Sequence, residues 1–180
     1  MRLLRRTLTL ILLVVVSCFC LSACKVLPDL QEYIDLSHID DAYTPDDAKR
    51  DGCVVFENAQ LTSGAEEWDI FLKNTLLETP AMVRLIRYQD GELMSAVDLQ
   101  YSGVHYLASQ MDGSETVAFE ILKHYTVNHE EQVIDAYVLL NDEDVDNGEM
   151  ADYIAENLYS NNYSSSRFLI YAALTEQAEE

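Results

Sequence analysis

Asn141-Asp142-Glu143-Asp144-Val145-Asp146-Asn147-Gly148-Glu149 is the segment best furnished to hold a hard cation. Asp142, Asp144 and Asp146 stand at alternate positions, the spacing with which calcium loops gather oxygens. Counted from Asp142, however, the turn glycine is seventh rather than sixth, and the position of the bidentate Glu is held by Tyr153. The same carboxylates suit a connection that leads into a helix N-terminus. Weak calcium binding at Asp142, Asp144 and Asp146 is the one cofactor expectation. The four histidines, His38, His105, His124 and His129, form no ligand pair at helical spacing, and a zinc site needs three or four convergent ligands. No nucleophile elbow, phosphate loop or dinucleotide fingerprint is present, and Ser164-Ser165-Ser166 reads as a loop. No catalytic residue is assigned.

Arg84 and Arg87 are cations inside a strand, and three positions apart they point to opposite faces. One exposed and one edge-facing Arg, each paired with nearby acids, is the plainer expectation, with an anion site as the alternative. The chain has 11 tyrosines. Those on strands, including Tyr88, Tyr101, Tyr106, Tyr125 and Tyr137, suit sheet packing. A binding face carrying Tyr101 and Tyr106 is the functional alternative.

Residues 1–24 read as an address. Arg2, Arg5 and Arg6 precede an apolar run from Leu8 to Phe19, too short to span a hydrocarbon core of roughly 30 Å comfortably. Leu21-Ser22-Ala23-Cys24 follows and resembles the bacterial lipoprotein signal. That resemblance implies a diacylglyceryl thioether on Cys24 and cleavage before it. Each buried lipid CH₂ contributes roughly 0.8 kcal/mol, so two chains anchor stably. An ordinary signal peptide or an uncleaved anchor would also place residues 25–180 outside the cytoplasm. Cys18 and Cys20 leave with the leader and Cys24 takes lipid, so Cys53 is the remaining thiol and no internal disulfide can close. With no Lys, Arg or His beside it, Cys53 reads as a buried structural thiol.

The full chain has 11 basic and 32 acidic residues, a formal charge of −21. Loss of the three leader arginines takes the mature chain to −24. Such a charge argues against binding nucleic acid or adhering to anionic lipid. Hydrophobic residues make up 49%, enough to build a core.

Residues 24–50 read as an acidic tether with Pro28 and Pro45, and Leu30, Tyr33 and Ile34 could dock on the domain. The folded unit is expected over 51–141. Cys53 to Glu57 is a first strand. Ser63 and Glu66 suggest a capping box opening a helix over about 63–77, with Trp68, Phe71, Leu72 and Leu76 at helical spacing. After Pro80 the period becomes two, through Val83–Tyr88, the Asp90-Gly91 turn, Leu93–Tyr101, Val104–Ala108, Val117–Tyr125 and Val133–Leu140. The expected fold is α+β: an antiparallel meander of about five to six strands with one helix on a face. Residues 142–180 form an acidic C-terminal helix and tail, with Met150, Ile154 and Leu158 as one stripe, while Phe168–Leu174 is a last strand or helix.

The stretch from about Asp47 to Asn141 resembles a domain of unknown function carried by small bacterial lipoproteins. The likeness lies in Asp51-Gly52-Cys53-Val54-Val55, in the helix with Trp68, Phe71 and Leu72, in Val83–Tyr88 with its Asp90-Gly91 turn, and in Asp98–Tyr101 with the later Tyr-rich strands. Members often carry a Cys pair in the last two strands. This chain has none there, so no disulfide carries over, and the resemblance supplies no activity. The expected function is a lipid-anchored, extracytoplasmic, non-enzymatic binding module, attached to the membrane through Cys24 and engaging an envelope or protein partner. The alternative is an envelope hydrolase or accessory enzyme with carboxylate or metal chemistry.

Overall fold

The computed structural model describes residues 33–129, 132–142, 145–159, 164 and 166–175. The leader, Cys24 and Asp144 lie outside them. The described chain is α+β, with β1 (Val54–Glu57), β2 (Gln60–Ser63), β3 (Ala81–Gln89), β4 (Glu92–Tyr101), β5 (Tyr106–Gln110), β6 (Val117–Phe119), β7 (Ile121–His129), β8 (Gln132–Leu140) and β9 (Arg167–Thr175). Its helices are α1 (Pro45–Arg50), α2 (Ala65–Leu76) and α3 (Asn147–Asn157). One sheet has the order β2-β1-β3-β4-β5-β6 and the other β7-β8-β9.

The expected meander is present from β3 onward, and the Asp90-Gly91 turn has both residues at positive φ, as a tight hairpin needs. The structure adds a hairpin partner to β1. Asn58 and Ala59, at φ 51° and 59°, form a two-residue turn that pairs Glu57 with Gln60. β1 also runs parallel to β3, because the β2–α2 connection returns the chain to the end from which β1 started. The sheet is therefore mixed.

α2 begins one residue later than the capping-box pattern suggests, with Gly64 at its N-cap and no side-chain cap bond. Ser63 belongs to β2, paired with Val55. Gly64 sits at φ 84°, and a Cβ there would lie 2.5 Å from Val54 Cα. Trp68 and Phe71 are buried, but Leu76, the last residue of the expected stripe, is 85% exposed.

The long strand expected over Val117–Tyr125 breaks at Glu120. There the backbone N–H donates to Leu140 O and to Asn141 Oδ1, and the chain passes from one sheet to the other. The sheets meet again where Leu174 N donates to Ala59 O at 2.8 Å. Both sheets and α2 share one core, with Phe56, Leu85, Leu99 and Phe119 facing Trp68, Phe71, Leu139 and Tyr171. The opposite face of β7-β8-β9 packs Ile134, Ala136, Val138 and Leu140 on the expected Met150–Ile154–Leu158 stripe of α3.

β3 is buried on both faces, which accounts for its near-continuous apolar run. Its second face is covered by residues 33–50, expected as tether. Ile39 and Ala48 are buried against Val55, Ile86, Tyr88 and Ala96, and Tyr33, Leu36 and Tyr43 pack around them. Thr44 and Asp47 close a capping box on α1, with Pro45 in its first turn.

Candidate binding cleft at Arg87

The expected metal residues have separate roles. Asp146 caps α3, its carboxylate accepting from Gly148 N and Glu149 N at 2.9 and 3.1 Å. Asp142 lines a depression with Val145, Glu149, Ser166 and Arg167. Arg167 Nη2 already donates to Glu149 Oε1 there, at 2.7 Å. Among the described residues no three acids, histidines or cysteines gather as a metal site.

Tyr101 is buried and Tyr106 half-buried, their rings 4.8 Å apart in the shared core. The pairing of Tyr101 with Tyr106 across β4–β5 sets both rings on the core side, Tyr101 buried and Tyr106 in part. His124 pairs with Asp135 and stacks on Tyr137 at 4.6 Å. Cys53 is buried, as expected, and burial pushes its thiol up to about 11.

The two strand arginines differ from the plainer expectation, because neither is a solvent-exposed ion pair. Arg84, on the face covered by residues 33–50, is buried. Its Nε and Nη2 meet Asp98 Oδ1 and Oδ2 at 2.6 and 2.8 Å, a bidentate fork, and Nη1 donates to Ile34 O at 2.6 Å. Sequence spacing could not show these contacts, since Asp98 comes from the paired strand and Ile34 lies 50 residues away.

Arg87 continues the inward column of Val83 and Leu85, beside a register shift in β3–β4. Its Nη2 donates to the carbonyls of Leu169 and Ile170 at 2.9 and 3.1 Å. The guanidinium carbon stands 6.0 Å from the Phe56 ring centroid. Arg50, Arg84 and Arg167 each pair with a carboxylate. Arg87 is the one arginine among the described residues that does not, although acids outnumber bases almost three to one. Burial lowers its pKa to about 10, so it remains cationic at neutral pH.

Arg87 lines an open cleft with Phe56, Gln89, Met94, Leu158 and Tyr159. The cleft encloses about 320 Å³ with its open mouth included, but its interior has room for only about one or two waters. Met94 and Tyr159 stand 42% and 53% exposed at the rim. Nε and Nη1 have no hydrogen-bond partner among the described residues. With Nη2 held by both carbonyls, Nε and Nη1 each keep a donor on opposite sides of the guanidinium, so an anion entering beneath the apolar rim would meet the charge and a single N–H rather than a two-pronged fork.

No helix among the described residues is long and apolar enough to cross a membrane. No family model, curated protein or solved structure matches the chain.

Proposed function

We propose that this chain is a lipid-anchored extracytoplasmic binding module whose ligand presents a carboxylate to Arg87. The observation that carries the binding reading is a half-buried guanidinium with carbonyl partners but no carboxylate, in a chain crowded with acids. A buried charge without a counter-ion is costly, and an entering carboxylate would relieve that cost. The rim of Met94 and Tyr159, over buried Leu158, would cover the apolar body behind it. The anchor half of the reading is supported by the charged leader, its apolar run and Leu21-Ser22-Ala23-Cys24.

The test titrates unbranched carboxylates, from acetate to octanoate, into protein followed by amide NMR. Shifts should centre on Gln89, Met94 and Tyr159, grow with chain length, and vanish in Arg87→Met. Equal shifts in wild type and Arg87→Met would refute the site. For the anchor, full-length wild type and Cys24→Ser are made in a bacterial host and fractionated. Wild type should carry a diacylglyceryl mass at Cys24 and the variant none. An unlipidated wild type would refute the anchor.

A further inference from the structure

Three apolar side chains at one end of the fold are left largely exposed by the described residues. Leu76 and Leu77, at the end of α2, are 85% and 65% exposed, and Val104, in the β4–β5 turn, is 69% exposed. The turns that carry them lie together. A Cβ on Gly103 would stand 3.5 Å from Glu78 O and 4.0 Å from Pro80 Cγ, and Ala81 pairs with Tyr101 at the strand ends. Packing explains why α2 leaves these residues outside. The buried face of the helix is Trp68 and Phe71, and the chain must break away at Leu77 to enter β3.

The first described residues reach toward the same end. Arg84 holds Ile34 O, and its guanidinium covers the Tyr33 ring at 4.8 Å, whereas Tyr43 O accepts from Tyr88. From Tyr43 back to Tyr33 the chain thus descends β3 from Tyr88 toward Ala81. Ile34, 46% exposed, lies on that path. The nine steps from Cys24 to Tyr33 span at most about 30 Å, and about 17 Å as a coil.

We infer that Leu76, Leu77 and Val104 form a foot that seats in the headgroup boundary of the bilayer holding the anchor. The inference rests on the anchored reading above. A tethered contact needs little affinity of its own, because the anchor supplies a high effective concentration of lipid. The charge of the mature chain opposes an anionic surface, so the bilayer favoured is zwitterionic. Lys73, in the last turn of α2, is a cation beside the foot, and Glu78 is the acid that follows it.

The test places a tryptophan at the foot. Trp68 is the sole native tryptophan and is buried, so it supplies an internal baseline. Full-length protein bearing Val104→Trp, or Asp112→Trp in the turn at the other end of β5, is reconstituted into phosphatidylcholine vesicles with brominated tails. The foot tryptophan should be quenched at least about twofold, because an apolar face seats roughly 5–10 Å into the boundary. Asp112→Trp should lose nothing beyond the Trp68 baseline. Adding Leu76→Asp with Leu77→Asp should restore emission at position 104 while the protein still floats with the vesicles. Equal quenching at 104 and 112 refutes the foot. Mass spectrometry of the same sample reads lipidation separately, because an uncleaved leader would also hold the chain on vesicles. Foot quenching without a diacylglyceryl mass therefore refutes only the lipid, and the mass without foot quenching refutes only the foot. Protein that does not float refutes both.

Discussion

Asp98→Ala should be among the most destabilising single changes on this domain. The Arg84 side chain is 2% exposed and that of Asp98 15%, with two short, parallel bonds between them. Removing one member of a buried pair leaves an uncompensated charge, at a cost of about 3–5 kcal/mol. Asp98 keeps some solvent access and Arg84 keeps Ile34 O, so the lower end, about 3 kcal/mol, applies. At roughly 3–4 °C per kcal/mol for a domain of this size, Tm falls by roughly 10 °C. Replacing both partners, as Arg84→Met with Asp98→Leu, removes the stranded charge and leaves the Ile34 carbonyl short of a donor. That double change should cost only about 1 kcal/mol. Urea unfolding followed through buried Trp68 measures both, with unchanged slope showing that stability alone has moved. A loss below about 1 kcal/mol for Asp98→Ala, or a double variant weaker than the single, would refute the reasoning.

Gly64→Ala should cost more than the roughly 1 kcal/mol typical of a point change, because it joins positive φ to a Cβ 2.6 Å from Cys53 O; urea unfolding reads it. The Cys53 thiol should resist iodoacetamide at pH 8 in the folded protein and react once urea unfolds it, since burial raises it to about 11. Stability should fall as pH rises from about 9 to 11. Over that window the unfolded chain has released the Cys53 proton and the folded chain still holds it, a difference of roughly 2–3 kcal/mol. Tyr33 and Tyr171, each pushed up to about 12 by burial, steepen the fall above pH 10. Cys53→Ala should flatten the first part of that decline, and an unchanged profile would exclude the thiol as its source.

The address proposed for residues 1–24 rests on local order alone: charge, apolar run, small residues, cysteine. The sequence determined the features that close within one element or one turn. The α2 stripe through Trp68 and Phe71, the α3 stripe of Met150, Ile154 and Leu158, and the Asp90-Gly91 turn were legible from spacing. So was the α+β class, because periods of 3.6 and 2 are properties of short windows. Tertiary structure decided whatever depended on partners far along the chain. Ala59 turns the β1–β2 hairpin at a φ that its side chain does not advertise, so β2 was hidden. The parallel β1–β3 pair arises from the return of the chain through β2 and α2, and the break at Glu120 from its passage between the sheets. Tyr101 and Tyr106 face inward because the second sheet and α2 cover them, an outcome no strand pattern contains. Arg84 and Arg87 show the division most clearly. Spacing alone put them on opposite faces of β3. Only the fold supplied Asp98 and Ile34 to one and the carbonyls of Leu169 and Ile170 to the other, because a guanidinium takes its role from what is brought to it across the chain.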